Sequence, residues 1–93
     1  MKTGLKIKVS NMQSSRGNDV PNQFEIRTSL GVLFQSYNSI IVFKRSDGKT
    51  FLDRETWAYS VTTGKYRNDF LGETIQETRN KIKSGKYTLT DLN

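Results

Sequence analysis

The side chains that could do chemistry in this chain are lysines, arginines and carboxylates, because it contains no histidine and no cysteine. Fifteen Lys and Arg residues stand against nine Asp and Glu residues, which gives a formal net charge of +6 over 93 residues. The chain therefore has no imidazole base, no thiol nucleophile and no sulfur ligand for a structural zinc. This composition favours a binding protein over an enzyme, and it predicts no cofactor and no metal site.

The carboxylates were considered as ligands for a metal-dependent nuclease, which needs them clustered around the ion. The candidates are Asp47, Asp53, Glu55, Asp69, Glu73 and Glu77. Structural roles account for three of them: Asp47 fits a hairpin turn, Asp53 a helix N-cap and Glu77 a capping box. The other three have no spacing that demands a shared site, so we predict no catalytic residues.

The segment Thr62-Thr63-Gly64-Lys65 contains the Gly-Lys pair of a phosphate-binding loop. That motif needs an earlier glycine where this chain has Tyr59, and a Ser or Thr after the lysine where it has Tyr66. We therefore interpret the segment as an ordinary turn.

Basic residues with aromatic neighbours form the predicted binding site, and the excess charge lies in the first half of the chain. Residues 1–46 carry a balance of +5 and residues 47–93 a balance of +1, which favours an acidic partner such as nucleic acid or an acidic protein surface. Tyr37 and Tyr66 are the rings predicted to be exposed in loops, while the phenylalanines and Trp57 are assigned to the core. The predicted site consists of Arg16, Tyr37, Lys44, Arg45, Tyr66, Arg67, Arg79 and Lys83.

Two of these assignments leave an alternative open. Arg79 and Lys83 are a like-charge i,i+4 pair, which either awaits an anionic partner or lets its long side chains splay apart into water. Arg16 lies in residues 11–22, a polar segment that we predict to be a long loop, and such a loop is either mobile or a contact site.

Alternating apolar and polar residues predict an antiparallel meander of about five strands. The first strand, Leu5 to Val9, should bury its apolar side, and Asp47-Gly48 fits a type I′ hairpin turn. The predicted strands are 5–9, 23–28, 32–34, 39–44 and 50–52.

The second half of the chain has helical signals. Asp53 to Tyr59 predicts one or two helical turns, and Tyr66 to Leu71 is ambiguous between helix and loop. Thr74 to Glu77 is a capping box that starts the main C-terminal helix, in which Ile75 and Ile82 define the buried stripe and Glu77 pairs with Lys81.

Gly85 should end this main helix, and Lys86 to Leu89 predicts a last short strand. We expect a single small α+β domain over residues 1–93, with the helix packed on the sheet. The chain lacks an apolar run of 18 residues and the apolar core of a signal peptide, which predicts a soluble, intracellular protein.

The sequence resembles a family of small uncharacterised proteins encoded by bacteriophages, over Ile7 to Asn93. The similar segments are Arg16-Gly17-Asn18, Pro21 to Phe24, Phe34 to Tyr37 through Ile41, Thr62 to Asn68 and Phe70 to Thr74. The resemblance implies no site residues. It implies a context, the cytoplasm of a host bacterium, in which small basic phage proteins bind and block host machinery, as anti-CRISPR proteins do.

Three hypotheses follow. The first is a non-enzymatic phage accessory protein that binds and inhibits a host protein or nucleoprotein complex, such as a CRISPR-Cas or other defence complex. The second is a protein that binds DNA or RNA directly through a basic face. The third is a virion or assembly component. The sequence does not define the oligomeric state.

Overall fold

The computed structural model describes residues 6–93 as one six-stranded sheet with two helices. Leu5, the first residue of the predicted first strand, lies outside the described residues. In chain order the elements are β1 (Ile7–Gln13), β2 (Asp19–Thr28), β3 (Gly31–Ser36), β4 (Ser39–Arg45), β5 (Thr50–Asp53), α1 (Val61–Leu71), α2 (Ile75–Lys83) and β6 (Tyr87–Thr90).

The strands lie in the sheet in the same order as in the chain. Strands β1 to β5 form an antiparallel meander, and β6 pairs with β5 in parallel. A parallel neighbour requires a crossover connection, which α1 and α2 provide. The α+β class is confirmed, whereas the sheet is mixed with six strands, and the helices number two instead of one.

The first hairpin corrects the predicted long loop at residues 11–22. Strand β1 continues to Gln13 and β2 begins at Asp19, so only residues 14–18 form the turn. The Ser14 hydroxyl accepts the backbone N–H of Asn18 at 3.2 Å, and Gly17 supplies a positive φ of 80°. The polar composition of this segment misled the prediction because a ribbon with solvent access tolerates polar side chains on its strands.

The β4–β5 hairpin forms as predicted, although its turn differs from type I′. That turn needs a positive φ at both central residues, and here Gly48 has a φ of 95° while Asp47 does not have a positive φ. The Gly48 N–H donates to the Arg45 carbonyl at 3.0 Å, and the Asp47 carboxylate accepts the Lys49 N–H at 3.1 Å.

Helix α1 occupies the region where a turn was predicted. It begins after Ser60, whose hydroxyl accepts the Thr63 N–H at 3.1 Å, and it ends at Gly72 with a φ of 68°. The predicted turn 62–65 therefore lies inside the helix, and the ambiguous segment 66–71 is helical. Residues 54–59 form turns and not a full helix, but Asp53 caps them as predicted: its carboxylate accepts the Thr56 N–H at 3.1 Å, and its carbonyl accepts the Trp57 N–H at 3.1 Å.

Helix α2 starts at the predicted capping box. The Thr74 hydroxyl accepts the Glu77 N–H at 3.2 Å, and the Glu77 carboxylate accepts the Thr74 N–H at 3.1 Å. Gly85 follows the helix with a φ of 83°, as expected for its end. The buried side chain of α2 is Thr78, while Ile75 and Ile82 are only partly buried.

A buried carboxylate connects α2 to the sheet. The Glu73 side chain is 3% exposed and accepts hydrogen bonds from Lys81 Nζ at 2.6 Å, Thr78 Oγ1 at 2.5 Å and the Tyr87 hydroxyl at 2.8 Å. Burial alone would raise the pKa of Glu73, but these three donors outweigh burial and hold the pKa below 4.5. Lys81 was predicted to pair with Glu77, but it pairs with Glu73 instead.

The core lies between α1 and the central strands. Phe34 stacks on Phe70 with 5.7 Å between ring centroids, and Tyr66 is 7% exposed beside them. The predicted exposure of Tyr66 is therefore wrong, because α1 turns this ring toward the sheet. The buried hydrophobic residues are Phe34, Ile41, Val42, Leu52, Tyr66 and Phe70.

Candidate interaction surfaces

The two faces of the sheet differ in what covers them. Directly paired residues on neighbouring strands point to the same side of a sheet. Phe34 pairs with Val42, and Val42 pairs with Leu52. All three are fully buried, so they define the face under the helices. We call it the covered face and the opposite side the open face. The open face carries a row of paired apolar residues from five adjacent strands, Val9, Ile26, Leu33, Phe43 and Phe51.

The apolar side chains of β1 lie at the exposed end of this row. Ile7 and Val9 are both 58% exposed, whereas the alternation of β1 predicted that they would be buried. The prediction was wrong because period-two alternation fixes which residues share a face but not whether anything packs on that face. The rest of the row is half-buried by its own neighbours.

Polar residues of the β1–β2 hairpin beside Ile7 and Val9 lie on the opposite side, and further along the hairpin Met12 and Val20 pack against the covered core. Lys8 pairs with Arg27, and Ser10 pairs with Glu25, on the side of the covered face. An antiparallel ribbon that met only water on its open face would carry polar residues there. The open face of the hairpin instead carries Ile7 and Val9, and exposed apolar patches of this kind are typical of interaction surfaces.

The centre of the open face is a pair of stacked rings. Phe43 and Phe51 have centroids 6.2 Å apart, and the Arg45 guanidinium lies 5.1 Å from the Phe51 centroid. Arg45 also pairs with Asp47 at 2.8 Å, and this hydrogen bond lowers the pKa of Asp47 to about 2. The Arg45 charge beside the stacked rings is therefore already neutralised by Asp47.

Gly31 permits the backbone approach behind Phe43. A Cβ at this position would lie 2.2 Å from the Lys44 carbonyl oxygen and 2.8 Å from the Phe43 ring. Its φ of 147° is also one that side-chain-bearing residues rarely adopt. The flat packing of β3 on β4 at this point therefore depends on glycine.

One end of the sheet gathers basic residues. The strands alternate in direction, so the start of β1, the ends of β2 and β4 and the turn before β5 all meet at this end, and the parallel β6 begins there as well. We call it the basic end. Its residues are Lys6, Lys8, Arg27, Lys44, Arg45, Lys49 and Lys86.

Three residues of the basic end have partners within the protein. Arg27 pairs with Glu25 at 3.2 Å, and Arg45 with Asp47. Lys44 Nζ donates to the Phe70 carbonyl at 2.7 Å and lies 4.4 Å from the Phe70 ring centroid, and its burial lowers its pKa. The other four lysines are exposed and have no ion pair among residues 6–93.

The remaining predicted site residues lie apart from one another. Arg16, in the β1–β2 turn, and Tyr37, between β3 and β4 with a 51% exposed side chain, are at the opposite end of the sheet from the basic end. Arg79 and Lys83 are exposed on α2. The eight predicted residues do not form one surface, and their roles in binding stay predictions.

Arg67 is 1% exposed, so its side chain does not lie at the protein surface, and its role in binding stays a prediction. Its guanidinium lies 5.5 Å from the Trp57 ring centroid inside the helical layer. The sequence did not indicate this burial because residues 62–65 were interpreted as a turn, which would have left the neighbouring Arg67 side chain in solvent.

The open face was not predicted from the sequence, because the phenylalanines were expected to share a single core. A signal was present: apolar residues occupy both parities of β3 and β4, as in Val32-Leu33-Phe34 and Ile41-Val42-Phe43. Such strands need cover on both faces. The two short helices lie on the same side of the sheet and therefore cover only one of its faces.

The chain is an α+β protein whose described part contains no group of three His, Cys, Asp or Glu residues placed to hold a metal ion. Neither of the two helices is both long and apolar enough to cross a membrane. The chain belongs to a family described as a family of unknown function (DUF8033), whose model matches residues 7–87. No curated protein and no solved structure matches the chain.

Proposed function

We propose that this protein is a non-enzymatic binding protein whose open face packs against an apolar surface of an acidic partner protein. The observation that carries the proposal is the apolar row across five strands, which ends on β1 in Val9, where Val9 and its neighbour Ile7 are each 58% exposed. Contiguous exposed apolar patches of this kind mark interaction sites in small proteins.

The chemistry of the open face favours a protein over a nucleic acid at this position. Surfaces that stack bases combine exposed rings with cations that follow the phosphate backbone. Here Phe43 and Phe51 stack on each other, and Arg45 is paired with Asp47. The row is otherwise aliphatic, which suits another apolar protein surface.

Charge favours an acidic partner over a second copy of the chain. Each copy carries a net charge of +6, so two copies repel each other, whereas an acidic protein is attracted to the lysines of the basic end beside the open face. We further propose that the partner is a host protein or nucleoprotein, such as a defence complex, and that occupation of its surface inhibits it. Small size, positive charge and the resemblance to phage-encoded proteins support this step.

The test uses a photo-crosslinking amino acid in place of Phe51 on the open face, and in a control in place of Tyr59, which is 51% exposed in the segment before α1. The cross-linked protein is identified from host lysate, purified and titrated by calorimetry. We expect V9N and I7N/V9N to weaken its binding by about tenfold or more, because a hot-spot side chain contributes at least 1–2 kcal/mol. K65Q should bind like the unchanged protein.

Three results would overturn the proposal. The first is a captured protein that binds V9N and K65Q equally well. The second is a homodimer in sedimentation analysis that V9N dissociates, since the occupant would then be a second copy. The third is cross-linking of Phe51 to nucleic acid alone.

A second candidate function, direct nucleic-acid binding, is favoured by the basic end. Four exposed lysines without ion pairs among residues 6–93 lie there, Lys6 and Lys8 at the β1 edge of the sheet and Lys49 and Lys86 beside β5 and β6. These lysines would neutralise several phosphates and release their counterions on binding. The candidate uses the basic end and not the open face.

Fluorescence polarisation with labelled single- and double-stranded oligonucleotides at several salt concentrations tests this candidate. Binding through the basic end predicts affinity that falls steeply with salt, with a slope reduced by about 0.9 for each lysine removed in K6Q and K8Q. V9N should leave this binding unchanged. Absence of binding at low salt would exclude the candidate.

A further inference from the structure

Arg67 is the largest fully buried side chain in the described part of the protein, and it carries a full charge. Buried charges in proteins are normally paired with an opposite charge. No carboxylate of residues 6–93 lies within 4.0 Å of its guanidinium. No ion pair among the described residues therefore offsets the free-energy cost of burying this charge.

The hydrogen bonds of Arg67 go to neutral acceptors. Its Nη1 donates to the Trp57 carbonyl at 2.5 Å, and its Nη2 donates to Asn68 Oδ1 at 2.9 Å. Its Nε is buried and has no partner among the described residues. A guanidinium has five N–H donors, so donor capacity remains in addition to the uncompensated charge.

The electrostatic surroundings add positive charge. Burial first, and the nearby Arg79 second, lower the pKa of Arg67, while Glu73 opposes them. The Glu73 carboxylate is already occupied by Lys81, Thr78 and Tyr87. Glu73 is therefore not available to neutralise the charge of Arg67.

A cavity of about 660 Å³ lies beside this group, between α1 and the start of α2. Gly64 lines it, and a Cβ at that position would lie 3.6 Å from both Nη atoms of Arg67. On this side the guanidinium is therefore covered by the Gly64 backbone and not by a side chain. The polar lining comes from Ser60, Lys65, Arg67, Asn68 and Asp69.

We infer that this cavity binds an oxyanion group, carboxylate or phosphate, that pairs with the guanidinium of Arg67. A carboxylate or a phosphate matches the planar fork of donors that arginine presents. Tyr59 and Val61, which are 51% and 91% exposed at the cavity, offer apolar contact to the remainder of the ligand. This site lies in the helical layer and is independent of the open face.

Nuclear magnetic resonance of the Arg67 Nε–H group tests the inference directly. Sodium phosphate and sodium acetate are titrated in separate arms, each against sodium chloride at equal ionic strength. We expect a saturable shift of this resonance with phosphate, with acetate or with both, and none with chloride. The arm that saturates at lower concentration identifies the source of the oxyanion.

Two variants and a control define the site. G64A keeps Arg67 and replaces a glycine inside a helix, so it should fold, and its added methyl group should weaken the apparent affinity about tenfold, the loss expected for one charged hydrogen bond. R67M should abolish the ion-dependent rise in melting temperature that bound ligand produces. K6Q/K8Q, at the distant basic end, should titrate like the unchanged protein.

The inference is overturned if the Nε–H resonance does not move, or if chloride moves it as far as phosphate and acetate do. It is also overturned if G64A and the unchanged protein have the same affinity. Neither result depends on the open face, so failure here is distinguishable from failure of the proposed function.

Discussion

The covered and open faces of the sheet are built from the same strands yet end in different environments. Phe34, Val42 and Leu52 on the covered face are fully buried, while the open face leaves Val9 58% exposed and Phe51 half-buried. Both faces are apolar, so composition does not distinguish them. The difference comes from where the two helices lie.

The comparison of the two faces shows why a chain of this length leaves an apolar surface uncovered. Helices of 11 and 9 residues are about 17 Å and 14 Å long, at 1.5 Å per residue, and both lie on one side of the sheet. A small domain buries only about two-thirds of its surface. The covered face thus supplies stability, and the open face is the surface that we propose for recognition.

The largest expected effect is the difference in unfolding free energy between a substitution on the covered face and one on the open face. F34A should lower the free energy of unfolding by about 3–5 kcal/mol, because it removes a fully buried ring that stacks on Phe70. V9A on the open face should change it by less than about 0.5 kcal/mol, as exposed positions do. Urea unfolding measures both. A comparable loss in the two variants would show that the open face is packed in solution.

The second prediction concerns the carboxylate that ties α2 to the covered side. E73Q should lower the free energy of unfolding at pH 7 by about 2–3 kcal/mol, because a neutral amide is a weaker acceptor for Lys81, Thr78 and Tyr87. Urea unfolding at a series of pH values measures this loss.

The pKa of Glu73 determines in which direction the effect of E73Q on the free energy of unfolding changes with pH. The pKa of Glu73 is lower in the folded protein than its usual value of 4.5, so its stabilisation is complete above about pH 4.5 and is lost as the pH falls through the folded pKa. The difference between the unchanged protein and E73Q should therefore shrink in acid. A difference that stays constant from pH 7 to pH 3 would contradict the ion pair.

Local signals in the sequence were sufficient for some elements. The capping box at Thr74 and the Asp47-Gly48 hairpin were predicted because each depends on hydrogen bonds within a few residues. Helix α1 was missed because Thr62, Thr63 and Gly64 are weak helix formers. The helix forms because Thr63, Tyr66 and Phe70 are buried against the sheet, which is a tertiary effect.

The candidate surfaces were less predictable than the elements. Charge counting located the excess in residues 1–46, but only the strand directions bring Lys6, Lys49 and Lys86 to one end of the sheet. The exposure of Ile7 and Val9 depends on which side the helices occupy, and no residue of β1 encodes that choice. Non-local geometry of this kind lies beyond periodicity.

The smallest predicted effect concerns the polar side of the β1–β2 hairpin. Lys8 lies directly opposite Arg27, and like charges in such a pair are destabilising. K8E should raise the free energy of unfolding by about 0.2–1 kcal/mol, since it replaces the repulsion with an attraction. K8Q, which only removes the repulsion, should give an intermediate value.

Urea unfolding in low and high sodium chloride measures this effect, which should diminish with salt because both side chains are exposed. An equal gain for K8E and K8Q would show that Arg27 is held by Glu25 and does not respond to position 8. A gain that persists in high salt would mean that the lysine is unfavourable for a reason other than charge. If the charge explanation holds, the repulsion is a cost in the free protein that an anionic partner at the basic end would relieve.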